Sequence, residues 1–257
     1  MKTVTLVPKV YGQYRNRLLT SLQSKMESMI SELDLTSVVL DVDKRDHVFL
    51  SVDGPDSEFV VNLLSQEYGE TPRSHKVLPE SVYRGQLTDV GKVGYGIYVD
   101  IGISESKMDA LLPLHRLRTQ MGMEGVPLRR IASSLVLVDH LPVEIQVTKV
   151  DFENEQIEAE FSKQFLERYE EWVTDDHERL LVFGANREML ESTLERTGHS
   201  DDIYKIENLG FFEFALQCKR STRASGILAA IGPRLRGVPM HLFIPHEIRA
   251  ARESAKT

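Results

Sequence analysis

Tyr95 and Tyr98 are the side chains of this sequence best suited to holding a flat ligand. They sit in the run Val93-Gly94-Tyr95-Gly96-Ile97-Tyr98-Val99, with glycines around the first ring and branched residues around the second. In an extended chain Ile97, Val99 and Ile101 share one face, and Tyr98 and Asp100 share the other, because successive side chains of a strand point to opposite sides. A bulge at the glycines would bring Tyr95 to the outer surface of Tyr98. Rings exposed in this way stack on nucleobases, at roughly 1–3 kcal/mol per base. Arg84 and Lys92 flank the pair in sequence, and Arg116, Arg118, Arg129 and Arg130 follow as a basic cluster. As surface arginines these cations need no ligand; as phosphate contacts they would position a nucleic acid without reading its sequence.

A second basic group surrounds a helix start in CKRSTRASGILAAIG, where Lys219, Arg220 and Arg223 accompany Ser221 and Thr222. Free N–H groups at a helix N-terminus suit an anion. The plainer reading is a helix capped by Ser221 or Thr222 with ordinary basic flanks, and the spacing of a P-loop is absent. Cys218 shares a strand face with Phe212, Phe214 and Leu216, alternating with Glu213, Ala215 and Gln217, so it reads as an inward filler rather than an activated thiol. Asp100 and Asp109 could hold Mg²⁺ in a nuclease, but nothing in their spacing requires it. The sequence has no HExxH, GxSxG or dinucleotide fingerprint, and its histidines lack ligand spacing. These features predict no catalytic residue, no metal and no cofactor.

The positions of these residues depend on the stretch from Val82 to Ser162. Val143, Ile145 and Val147 alternate with Glu144, Gln146 and Thr148, and Ile157, Ala159 and Phe161 alternate with Gln156, Glu158 and Glu160. With the strands around Leu87 and Val99, the pattern predicts five short strands closed into a small barrel, with a longer excursion from Arg118 to Leu141. The ordered pieces Gly85-Gln86-Leu87, Tyr95-Gly96-Ile97-Tyr98-Val99, Ala110-Leu111-Leu112-Pro113, the valine strand, Asp151 and Ile157 resemble the ribosomal S-one domain, an OB-fold RNA-binding module. The resemblance implies that Tyr95 and Tyr98 stack on bases while Arg84 and Lys92 meet phosphates. It departs at Pro113, where that family often has a histidine, and at Gln156, where it has a basic residue.

Before the barrel, the order β-α-β-β-α with a short last strand at 76–78 predicts a ferredoxin-like α+β domain over 1–75. Thr71 to Glu80 holds two prolines and reads as a connection. The barrel occupies 80–163. After it, 164–257 reads as a helical connection, with one helix running from Lys163 to Phe183, and a C-terminal α-β-β-α-β domain with helices on one face and a polar tail. The fold class is therefore α+β multidomain. The segment RTGHSDDIYKIENLGFFEFALQCKRSTRASGILAAIG resembles an archaeal family described only as a domain of unknown function, a likeness spanning most of the chain. It implies an archaeal cytosolic protein and supplies no activity. The layout of barrel, helices and α/β domain is similar to that of the alpha subunit of archaeal translation initiation factor 2.

The net charge of −8 argues against a generic nucleic-acid coat. Its distribution matters more, since affinity for phosphates follows local cation density. Residues 81–150 carry eight Lys/Arg against seven Asp/Glu, 151–175 carry two against nine, and 210–257 carry eight against three. A single cysteine fits a reducing cytoplasm, and no apolar run approaches the ~20 residues of a membrane span. The expected function is a non-catalytic RNA-binding protein of translation or RNA processing, with single-stranded or structured RNA as partner, on the ribosome or another ribonucleoprotein. The alternative is a protein-interaction adaptor on a ribosomal or transcription complex, suited by the outer carboxylates Glu144, Glu158 and Glu160.

Overall fold

Three β-rich parts follow one another in the computed structural model, which describes residues 1–103 and 108–256. The first holds β1 (Lys2–Lys9), α1 (Arg15–Ile30), β2 (Ser37–Val42), β3 (His47–Asp53) and α2 (Ser57–Tyr68). Its strands pair antiparallel in the order β1-β3-β2. Leu18, Leu22, Met26 and Ile30 of α1 recur every four residues and are buried together, the stripe of a helix with one face in the core. The closing strand expected at 76–78 does not form. A single 3₁₀ turn spans Ser74–Lys76, and pairing beyond β1 shrinks to one antiparallel bridge between Leu6 and Glu70. Pro72 and Pro79 flank this segment and have no N–H to give a ladder. Val77 is instead buried in the core of the next part.

That part is the closed barrel: β4 (Val82–Thr88), β5 (Gly96–Asp100), β6 (Ala110–Pro113), β7 (Pro142–Asp151) and β8 (Gln156–Phe161), in the order β4-β5-β6-β8-β7. β6 and β8 run parallel, and the other neighbours are antiparallel. Leu87, Val99, Ile145, Val147 and Phe161 fill the interior, as the alternation predicts. Gly85 is required where strands close in: a Cβ there would stand 2.5 Å from the carbonyl oxygen of Asp100. The segment between β6 and β7 holds two helices, α3 (Leu114–Met121) and α4 (Leu128–Ser134). Eight and seven residues give too few periods to read.

The last part departs furthest from expectation. The helix expected from Lys163 to Phe183 ends at Thr174 as α5 (Lys163–Thr174), and Arg179–Phe183 is a strand, β9. Every residue of β9 is buried, so it shows no alternation and reads like the end of a buried helix. The following elements are α6 (Arg187–Thr197), β10 (Ile203–Asn208), β11 (Glu213–Cys218), α7 (Ala224–Ile231) and β12 (Met240–Phe243). The expected polar tail is a helix, α8 (Pro245–Ala255), with Ile248 buried and Arg252 Nη1 paired to Glu170 Oε1 of α5 at 2.6 Å.

The antiparallel sheet order is β10-β11-β9-β12. β9, β11 and β10 thus repeat the arrangement of β1, β3 and β2, so the two outer parts share one β-α-β-β-α plan. The C-terminal sheet is covered on both sides. Leu181, Phe183 and Ala215 join the core of the barrel, α3, α4 and α5, whereas Leu180, Val182 and Leu216 join the core of the N-terminal part. Helices therefore lie on more than the single face expected, and all three parts share buried contacts.

Candidate functional site

Tyr98 lies on the outer side of β5, opposite Thr88 of β4 and Leu111 of β6. Tyr95 ends the β4–β5 loop, and its carbonyl accepts a hydrogen bond from Leu114 N of α3 at 2.8 Å. The two hydroxyls are 2.8 Å apart, and the rings meet edge to face with centroids 6.4 Å apart. Tyr95 is 56% exposed. The Tyr98 hydroxyl, hydrogen-bonded to Tyr95 and partly buried, is pushed up to about 12 and stays protonated at ordinary pH.

The cations expected around the rings are dispersed. Arg84 is four residues along β4 from Thr88, about 13 Å at a strand's rise, with its Nε 3.7 Å from Glu144 Oε2. Lys92 shares the loop of Tyr95 but pairs with Asp89 at 2.5 Å. Arg116 pairs with Glu160 at 2.5 Å, and Arg118 Nε donates to the carbonyl of Val126 at 2.9 Å. Arg129 and Arg130 differ: both are exposed on α4, and among the described residues their guanidinium groups have no ion pair. α4 lies beside the loop of Tyr95, since a Cβ on Gly91 would be 4.0 Å from Arg129 Cγ. Phe152, in the turn between β7 and β8, is 49% exposed and was not singled out from sequence. Its only signal is an aromatic residue within the polar turn Asp151-Phe152-Glu153-Asn154-Glu155.

At the second basic group the helix start is already taken. Glu178 Oε2 accepts from Ala224 N of α7 at 2.8 Å, and its Oε1 pairs with Arg223 at 2.5 Å. Neither Ser221 nor Thr222 caps α7; the Thr222 hydroxyl donates to Asp202 at 3.1 Å. Lys219 and Arg220 are exposed beside this closed arrangement. Glu178 precedes β9 and is distant in sequence, so tertiary contact alone reveals it. Cys218 is buried, and burial pushes its thiol up to about 12, opposite to an activated nucleophile.

Asp100 and Asp109 share Arg45, and Asp100 also takes Lys9 Nζ at 2.7 Å, with His47 Nε2 3.5 Å away. Among the described residues no group of three or more His, Cys, Asp or Glu side chains could hold a metal. Burial acts to raise the Asp100 carboxyl, but His47, Lys9 and Arg45 outweigh it and hold the group well below the usual carboxylate range. Beside this cluster lies a second buried network. Glu213 Oε1 accepts from Tyr11 Oη at 2.7 Å and from Gln86 Nε2 at 2.9 Å, and Oε2 accepts from Phe212 N at 3.2 Å. Burial pushes Glu213 up to about 7 despite these donors. Both networks border a cavity of about 690 Å³ where the three parts meet.

Three family models match consecutive segments of the chain: the DUF2110 N-terminal domain over residues 3–74, the central domain over 77–173 and the C-terminal domain over 177–242. The chain belongs to the DUF2110 family. The central DUF2110 segment takes in the barrel, α3, α4 and α5. A solved structure of an uncharacterized protein, MJ1198, from Methanocaldococcus jannaschii is similar over 34% of this chain and 96% of its own, at 19% identity and a TM-score of 0.24. That likeness is too loose to bear on the fold of the DUF2110 chain. No curated protein matches it. Among its described residues no helix is long and apolar enough to cross a membrane.

Proposed function

We propose that this DUF2110 chain is a non-catalytic, cytoplasmic RNA-binding protein of translation or RNA processing, and that its barrel is an OB-fold holding single-stranded bases on the face of β5 and β6. The observation that carries this reading is the exposed Tyr95 ring, hydrogen-bonded to Tyr98 on the outside of the barrel. The strand order, with its third and fifth members parallel, supports the OB assignment. OB-folds bind oligonucleotides across their second and third strands and the loops after the first and fourth. Here those features carry Tyr98, Tyr95, Lys92 and Phe152. Arg129 and Arg130, exposed and without an ion pair among the described residues, extend the path with guanidinium groups for phosphates.

Two stacked bases at roughly 1–3 kcal/mol each reach at best micromolar-class affinity. The phosphate contacts and the other two parts then add what is needed. The test is fluorescence anisotropy of the full chain with a labelled single-stranded RNA. Replacing both tyrosines with alanine weakens binding at least tenfold on this reading, and unchanged binding removes it. A protein-interaction adaptor is the second reading, favoured by the pairing of Arg116 with Glu160 and of Lys92 with Asp89. Association with a ribosomal or transcription complex that survives nuclease treatment selects it.

A further inference from the structure

The cavity of about 690 Å³ at the meeting of the three parts has a size ordinary for a small-molecule site. Its polar wall contains two arginines, Arg84 of β4 and Arg168 of α5. Arg168 is half-buried, with its guanidinium carbon 5.7 Å from the ring of Phe165 and 5.8 Å from that of Trp172. Among the described residues it has no hydrogen-bond or ion-pair partner. Its guanidinium, within cation–π range of two rings, offers five donors at the cavity wall. The Arg84 side chain is 80% exposed, and its Nε stands 3.7 Å from Glu144 Oε2, beyond hydrogen-bond reach. Burial holds Arg168 below the usual guanidinium value; Glu207 and Glu144 oppose this, and the like charge of Arg84 adds to it.

We propose that this cavity binds a small organic anion, a phosphomonoester or carboxylate, taken by Arg84 and Arg168 together. The remainder of the cavity sets the size of the ligand. Glu67, Glu144, Glu167 and Glu171 also line the cavity; their charge opposes any anion away from the two arginines and opposes a polyanion most, so an RNA strand is a poor occupant. Phe165 and Leu209 give the wall an apolar side for the body of the molecule. The site lies apart from the tyrosine pair and does not rest on the RNA-binding reading.

Trp172 is the single tryptophan of the chain and lies beside Arg168, so its emission reports on the site. The full-length protein is titrated separately with inorganic phosphate, glycerol 3-phosphate and succinate. At least one should give a saturable change in emission. Arg84→Gln, an exposed substitution whose fold is checked by circular dichroism, should weaken that binding by about tenfold, as expected for a lost charged hydrogen bond. Arg84→Lys, which keeps the charge but not the fork, should fall between. The Tyr95→Ala/Tyr98→Ala protein should bind as the parent does, and single-stranded RNA should not displace the anion. No saturation with any of the three probes, undiminished binding by Arg84→Gln, or a loss that follows the tyrosines instead would overturn the proposal.

Discussion

Gln86 and Asp100 face each other across the β4–β5 ladder, and each is held by a different outer part of the molecule. Gln86 donates to Glu213 of β11, while Asp100 takes Lys9 of β1 and lies 3.5 Å from His47 of β3. His47 and Glu213 are the first residues of equivalent strands in the two outer parts, and both are buried. One cross-strand pair on the barrel thus receives both outer parts. That contact covers the outer face at Asp100 and leaves its neighbour Tyr98 partly open.

Asp100→Asn should destabilise the chain by roughly 3–5 kcal/mol, because it leaves Lys9 as uncompensated buried charge and Arg45 with Asp109 alone. Asp109→Asn, at a half-buried partner of Arg45, should cost less. Urea denaturation of both variants at neutral pH checks the order. Equal midpoints would show that the Asp100 cluster has no special weight.

The Asp100 carboxyl is depressed in the folded state, so its stabilisation is present above the unfolded value of about 3.9 and is lost as pH falls through the lower folded value. Glu213 has the opposite sign. Its folded value of about 7 lies above the unfolded one, so its contribution is complete below about 4.5 and fades as pH rises through 7. Stability should therefore fall between pH 5 and 8 by up to about 3 kcal/mol from this group. Glu213→Gln should flatten that dependence, and denaturation midpoints at the two pH values measure it. A parent protein with no slope in this range contradicts the assignment.

Gly85→Ala should cost roughly 1–3 kcal/mol by overpacking, since the added carbon would meet the Asp100 backbone as well as the buried Val99 side chain. Gly94→Ala, with open space around its Cβ position, is the control. A thermal melt of each separates local crowding from a general intolerance of the barrel.

Arg129→Gln and Arg130→Gln should weaken RNA binding evenly across sequences. Each should lower the slope of log affinity against log salt by about 0.7, as for one lost phosphate contact on a single strand. Arg116→Gln should leave the slope unchanged, because its charge is already paired with Glu160. A slope that responds to Arg116 alone would place the phosphate path elsewhere.

Period and turn chemistry carried the barrel, the helix stripe of α1 and the inward placement of Cys218 in the local sequence, because each depends on neighbours two to four residues away. The proximity of Tyr95 to Tyr98 was legible for the same reason. β9 was not, since a strand buried on both faces has no polar alternation to mark it. α8 was missed because its polar composition hides its two buried residues, Pro245 and Ile248. The fates of the cations were decided by tertiary structure alone. Glu178 closes the start of α7 against Arg223, and Glu160 pairs with Arg116, from positions far along the chain. Charge acts through space, so a sequence shows which groups carry it, and only the fold determines which remain free.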